Sequence, residues 1–156
     1  MVFTPREPHV RSAPEAAEVA GVSYRMLDHW HRVGWITATH TKRFGQSRVV
    51  RSYSDDAIVK LAALKHIAAV GKLDPGVWGP KLGRLDTADA ELIVVTGDDR
   101  LIVATEPDLR GLVTGVGVRI AFDAAQFRSR LRSLQSNGDD PARADVAAPA
   151  KRRRTA

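Results

Sequence analysis

The chain of 156 residues carries 24 lysines and arginines against 18 aspartates and glutamates, a net charge of +6, and 44% of its residues are hydrophobic. That length fits one domain or two small ones, and the apolar content is too high for a disordered chain. Cysteine is absent and no apolar run approaches the roughly 20 residues of a membrane span, so the sequence predicts no disulfide, no thiolate metal site and no transmembrane helix.

The positive charge is unevenly distributed. Residues 1–85 have a net charge of +6, residues 86–135 of −2 and residues 136–156 of +2. A basic patch releases counterions when it meets phosphates, and this term dominates nonspecific affinity for DNA. A polyanionic partner is therefore expected for the first half of the chain.

The chain is expected to open with a flexible leader over residues 1–12, which are polar and include Pro5 and Pro8. This leader lacks the apolar core of an export signal, so a cytoplasmic location is expected. Ser12 is a candidate N-cap for a first helix. Gly21 is predicted to end that helix, since glycine tolerates the positive φ of a helix end.

A second helix is predicted over residues 23–33. Ser23 is its candidate N-cap, Leu27 and Trp30 form an apolar face at the spacing of a helical turn, and Gly34 ends it. Two short helices joined by a turn that contains glycine are typical of a helix-turn-helix.

A basic β-hairpin is predicted over residues 36–53. Residues 29–54 contain no aspartate or glutamate, and the turn-like residues 44–47 are followed by β-forming side chains. The lysine and arginine residues within residues 29–54 are Arg32, Lys42, Arg43, Arg48 and Arg51. A cationic hairpin of this kind would protrude as a wing beside the two helices.

Ser54 is predicted to cap a third helix over residues 55–70. The following residues 72–85 are harder to interpret. Asp74 followed by proline favours a helix start, but Gly79 and Pro80 argue against a regular helix interior.

Residues 86–136 are predicted to form a second unit with the order ββαβα, a small sheet with helices against it. Its exposed sheet edges make it a candidate dimerisation or effector module. Residues 137–156 are rich in alanine, proline and charge, and are predicted to be a disordered basic tail.

Residues 13–71 resemble the winged helix-turn-helix of the MerR family of transcriptional regulators, and in particular an actinobacterial-type branch whose second helix reads GV(S/T)YRxLDxW. The resemblance implies an α+β chain whose DNA-binding domain spans residues 13–85. It is carried by Gly21, Val22, Ser23, Tyr24, Arg25, Leu27, Asp28 and Trp30, and by the step Arg51, Ser52, Tyr53, Ser54 that leads into the third helix.

This resemblance implies a sequence-specific transcriptional regulator, with the second helix in the major groove and the hairpin on the flanking backbone. Double-stranded DNA is the implied partner, a homodimer is implied at least on DNA, and RNA polymerase is a further candidate partner. A location on the nucleoid follows. The expected DNA-contacting residues are Ser23, Tyr24, Arg25, His29, Arg32, Lys42, Arg43, Arg48 and Arg51.

Asp28 departs from many family members, which carry arginine there. An acid beside phosphate is repulsive, so Asp28 is expected to form an ion pair with Arg25 or with Arg32, four residues along the helix. The same acid keeps open a different class of function, a protein-interaction module that has lost DNA binding. An architectural DNA-binding protein, such as a phage excisionase-like factor, is a further alternative.

An enzyme is not expected. The sequence has no glycine-rich phosphate loop and no nucleophile elbow, and most carboxylates fall in predicted caps and turns. A metal site is not expected either, because His29 and His31 are two residues apart on a helix and point in different directions. No cofactor is predicted.

Overall fold

Two small antiparallel sheets and six helices form the part of the chain that the computed structural model describes, residues 9–138. This is an α+β arrangement, as predicted. The elements in chain order are β1 (Val10–Ser12), α1 (Ala13–Ala20), α2 (Tyr24–Arg32), β2 (His40–Phe44), β3 (Arg48–Ser54), α3 (Asp55–Ala69), α4 (Pro75–Arg84), β4 (Leu92–Thr96), β5 (Leu101–Ala104), α5 (Glu106–Thr114), β6 (Val118–Asp123) and α6 (Ala124–Gly138).

The predicted helix caps are confirmed. Ser12 forms a reciprocal capping box with Glu15 at the start of α1, and Gly21 ends α1 with φ of 71°. The hydroxyls of Ser23 and Ser54 each accept a hydrogen bond from a backbone N–H in the first turn of α2 and α3. Local side-chain chemistry therefore sets where the first three helices begin.

The first sheet has the order β1-β3-β2, so an N-terminal strand covers the edge of β3 that faces away from β2. Arg11 of β1 is 7% exposed, pairs with Asp55 at 2.5 Å and donates to the backbone oxygen of Leu131. The prediction of a flexible leader is therefore wrong for residues 10–12, because β3 and these long-range partners hold them in place. Residues 1–8 lie outside the described residues.

The second sheet has the order β5-β4-β6, and the predicted ββαβα order is confirmed. α6 begins after Asp123, whose carboxylate accepts the N–H of Gln126 at 2.7 Å. The helix includes residues 137 and 138, which were predicted to begin the disordered tail. The remainder of that predicted tail, residues 139–156, lies outside the described residues.

α3 is the central element of the core. Ile58, Leu61 and Leu64 are fully buried, and the apolar cluster around them extends from α1 to α6 without a break. Polar contacts follow the same route, since Arg128 of α6 pairs with Asp56 of α3 at 3.3 Å. The second sheet therefore packs against the same helix that supports α1 and β3.

α4 is a helix despite its glycines and Pro80. The carboxylate of Asp74 accepts the N–H of Gly76 at 2.8 Å and caps it. Gly79 lies against the indole of Trp35, where a side chain would not fit. Gly79 is thus tolerated inside the helix because the contact with Trp35 needs a small residue there.

Across residues 9–138, no helix combines the length and apolar character needed to cross a membrane.

Candidate nucleic-acid interface

The first turn of α2 presents polar side chains outward. Leu27 and Trp30 are 1% and 4% exposed, which orients the opposite face of the helix away from the core. Tyr24 is 55% exposed and Arg25 is exposed beside it. Two long side chains that can donate hydrogen bonds therefore extend from the start of this helix.

The β2–β3 hairpin carries exposed cations on both faces. Lys42 and Arg43 are successive strand residues, so they project to opposite faces. Phe44 pairs with Arg48 across the strands, and the guanidinium carbon of Arg48 lies 6.0 Å from the centre of the Phe44 ring. The hairpin can thus offer positive charge to anions on either side.

Asp28 connects α2 to the hairpin. One carboxylate oxygen lies 2.7 Å from Nη1 of Arg51 on β3, and the other lies 2.7 Å from Nη2 of Arg32. The expected pair with Arg32 is confirmed, whereas the alternative with Arg25 is not formed. The Arg51 hydrogen bond, followed by that of Arg32, holds the pKa of Asp28 below its ordinary value. The acid is therefore ionised at neutral pH and its charge is compensated.

Two aromatic side chains, the half-buried His31 and the buried Tyr53, lie close to this ion-pair group. His31 and Tyr53 meet edge to face, with ring centres 6.1 Å apart and planes at 89°. Burial, and then the nearby Arg51 charge, lowers the pKa of His31, so the imidazole is neutral at pH 7. Burial raises the pKa of the Tyr53 hydroxyl. Arg51 therefore extends past neutral rings towards Asp28.

The remaining predicted residues of α2 lie towards its end. His29 is exposed and meets Trp35 edge to face, with ring centres 6.1 Å apart at 78°. The Arg32 side chain is 66% exposed although it pairs with Asp28. Both side chains are thus accessible to a partner, one supported by an aromatic ring and the other by an ion pair.

The predicted site residues divide into three groups. Tyr24, Arg25 and His29 are on α2 with Ser23 as its N-cap, Lys42, Arg43 and Arg48 are on the hairpin, and Asp28 brings Arg32 and Arg51 together. Within residues 9–138, no carboxylate forms an ion pair with Arg25, Lys42, Arg43 or Arg48. These four cations can therefore meet an external anion without first breaking an ion pair.

Sequence reasoning missed the link between Asp28 and Arg51. A signal for it exists, because Asp28 is the only acidic residue between Glu18 and Asp55. An isolated acid in a basic stretch has several possible cationic partners, and the helical spacing identifies only Arg32. The contact with the hairpin depends on how the hairpin packs against α2, which spacing does not encode.

Among residues 9–138, no three histidine, aspartate or glutamate side chains form a group that could hold a metal ion. No model of a protein family and no curated protein matches this chain.

Proposed function

We propose that the protein is a sequence-specific DNA-binding transcriptional regulator of the winged helix-turn-helix type. In this proposal α2 enters the major groove and the β2–β3 hairpin is the wing that contacts the flanking backbone. The observation that carries it is the surface shared by α2 and the hairpin, where four exposed cations lack ion-pair partners within residues 9–138. The one acid in this region, Asp28, is compensated by two arginines.

The proposed division of labour follows from side-chain chemistry. An arginine can donate two hydrogen bonds to the edge of guanine, so Arg25 on the outward face of α2 is assigned to base readout. Contacts to phosphate position a protein without reading sequence. That role is assigned to Lys42, Arg43 and Arg48 on the hairpin, and to the hydroxyl of Tyr24.

The geometry at Asp28 supports a DNA reader over a protein-interaction module. The protein-interaction alternative rested on Asp28, an acid expected to lie beside the DNA phosphates and to repel them. Both oxygens of Asp28 are engaged by Arg32 and Arg51, which leaves this neighbourhood with a net positive charge. The acid thus serves to hold arginines in place.

A homodimer, at least on DNA, belongs to the same proposal, with RNA polymerase as a further partner and the nucleoid as the location. The edges of the second sheet support a subunit contact there. β5 and β6 are its two outer strands, and each pairs only with β4 within residues 9–138. An unpaired strand edge can pair with a strand of another chain.

The test is an anisotropy titration of the protein into a labelled duplex from its own upstream region and into a scrambled duplex, at several salt concentrations. A regulator should prefer its own site by about 1,000-fold or more. Equal affinity for both duplexes with a steep salt dependence would instead indicate architectural binding. Absence of binding to either duplex at low salt would refute the proposal.

Single charge removals refine this test. Arg48→Gln should weaken binding to both duplexes similarly and flatten the salt slope by about one unit, as expected for a lost phosphate contact. Arg25→Gln should weaken the specific complex more than the scrambled one. Arg110→Gln on α5 removes the same charge from the second unit and is the matched control, so its salt slope should equal that of the unmodified protein.

A further inference from the structure

A groove of about 660 Å³ lies beside the first turns of α2, where the end of α3 and the start of α4 meet it. Most of its surface is apolar. The apolar lining residues are Val22, Met26, Trp30, Ala68, Ala69 and Pro75. Pockets for small molecules in proteins are typically several hundred Å³ in volume and mainly apolar, with few polar groups, and this groove matches that description.

The ionisable side chains that line this groove are all of basic residue types. Arg25, His29 and Lys65 line it, and no aspartate or glutamate does. The ammonium group of Lys65 lies over Gly21, where a Cβ atom would stand 2.6 Å from Nζ. Among residues 9–138, neither Arg25 nor Lys65 forms an ion pair with a carboxylate. An apolar surface is thus combined with uncompensated positive charge.

We propose that this groove binds a small organic anion with an apolar body, namely a monocarboxylate whose aromatic or aliphatic part contacts Met26 and Ala69. The ligand's carboxylate would accept hydrogen bonds from Lys65 and Arg25. Hydrogen bonds between charged groups are stronger than those between neutral groups. Charge complementarity selects this class of ligand over neutral apolar molecules.

The groove adjoins a second depression of about 370 Å³, which shares Gly21, Lys65 and Ala69 with it. This depression extends to Phe122 and Phe127 of the second unit, and its ionisable lining residues are Glu18, Lys65, His66 and Arg130. A ligand with a longer apolar body would therefore reach from α2 to the second sheet. Glu18 lines this depression but not the groove, so the ligand's carboxylate is assigned to the α2 side.

Binding in this groove regulates the protein, and this part rests on the proposed function. Arg25 and His29 belong both to the groove and to the proposed DNA surface. A ligand that holds Arg25 competes with the major groove for the same guanidinium group. By linkage, ligand and duplex must weaken each other by the same factor.

The first experiment uses 2-naphthoate as the probe and 2-naphthamide as its neutral isostere, without DNA. Both are titrated into the isotope-labelled full chain by heteronuclear NMR. We expect 2-naphthoate to shift the Met26 methyl and the Ala68 and Ala69 amides, and to bind about tenfold more tightly than the amide because of the charge-assisted contact. Equal affinity of the two compounds, or no shifts at these residues, would overturn the assignment.

Variants separate the groove from nonspecific apolar binding. Lys65→Gln should lower the affinity for 2-naphthoate to that for the amide. Ala69→Trp should lower the affinity for both compounds, because the new side chain fills the groove at an exposed helix position. Lys60→Gln on the same helix is the control and should bind 2-naphthoate unchanged. Unchanged binding to both Lys65→Gln and Ala69→Trp would contradict the proposal.

A final titration adds the duplex and keeps the two proposals distinguishable. Saturating 2-naphthoate should weaken duplex binding, and the Lys65→Gln protein should be less sensitive to it. A protein that binds 2-naphthoate in the groove but binds duplex equally with and without it would refute the regulatory part. A protein that binds 2-naphthoate but no duplex would refute the proposed function and leave the groove assignment standing.

Discussion

Asp28 shows how one residue can serve two elements. Its carboxylate joins a helix residue, Arg32, to a hairpin residue, Arg51, through contacts of 2.7 Å each. The helical spacing predicted the first contact, because residues four apart are neighbours on any helix. The second depends on the packing of the hairpin against α2, so no local pattern could predict it. The same is true of the edge-to-face contact between His31 and Tyr53.

Asp28→Asn should reduce the discrimination between specific and scrambled DNA. Loss of the carboxylate removes a charge that repels phosphate, so affinity for the scrambled duplex should rise or stay unchanged. The contact that fixes α2 against the hairpin is also lost, so base readout by α2 should weaken and the specific complex should lose about tenfold relative to the scrambled one, the value of one charged hydrogen bond. The two dissociation constants, measured by anisotropy, give the ratio. An unchanged or higher ratio would show that Asp28 does not position Arg51.

His31 should make the fold sensitive to mild acid. Its pKa in the folded protein lies below the ordinary value of 6.5 because of burial and the Arg51 charge. As pH falls through 6.5 the unfolded chain takes up a proton that folded His31 resists, so the free energy of unfolding decreases. His31→Phe should make this decrease smaller between pH 7.5 and 5.5, measured by urea denaturation. Parallel pH profiles for the two proteins would contradict the assignment.

At the scale of elements, the N-caps of the helices were predictable from the sequence, whereas the effect of the helix-breaking residues in α4 was not. Ser12, Ser23 and Ser54 act within one helical turn, so the sequence nearby was sufficient to place them. In α4 the glycines suggested an irregular segment. Gly79 and Gly83 are explained by Trp35, which is distant in sequence and packs against both. A tertiary contact thus reverses a local preference.

Gly79→Ala should destabilise the protein although alanine favours helices. A Cβ atom at this position would stand 2.5 Å from Cε3 of Trp35, and such overpacking costs about 1–3 kcal/mol. At Gly111 in α5 a Cβ atom would meet no other atom within 4 Å, so Gly111→Ala is the control and should stabilise by roughly 0.5–1 kcal/mol. Urea denaturation measures both. Equal effects of the two substitutions would argue against close packing at Gly79.

At the scale of the molecule, the two sheets share one core. The division of the chain near residue 85 followed from composition and strand order, and these do not reveal that α3 supports both sheets. The strand β1 was missed for a related reason. Its partner β3 lies some forty residues away in sequence, and its Arg11 finds partners in α3 and α6. Pairings over such separations are not visible in a local pattern.

Arg11→Met should lower the stability of both sheets together. The substitution leaves Asp55 without its arginine partner, which we expect to cost about 2 kcal/mol, less than a fully buried pair because Asp55 is partly exposed. Tryptophan fluorescence reports on the first unit and far-UV circular dichroism on the whole chain. Both midpoints should decrease by the same amount of urea. Separate transitions would show that the two units unfold independently.

Asp55 also joins two residues that lie far apart in the sequence, Arg11 of β1 and Gln135 of α6. One of its oxygens meets Arg11 at 2.5 Å and the other accepts from Gln135 at 3.2 Å, so positions near both ends lie within a side chain's length of the same residue. Proteins with adjacent ends accept circular permutation and insertion into the loops of other proteins. Residues 9–138 are therefore suited to insertion into a surface loop of a carrier protein, with Arg11 and Gln135 still held by Asp55 and with α2 and the hairpin outside the junctions.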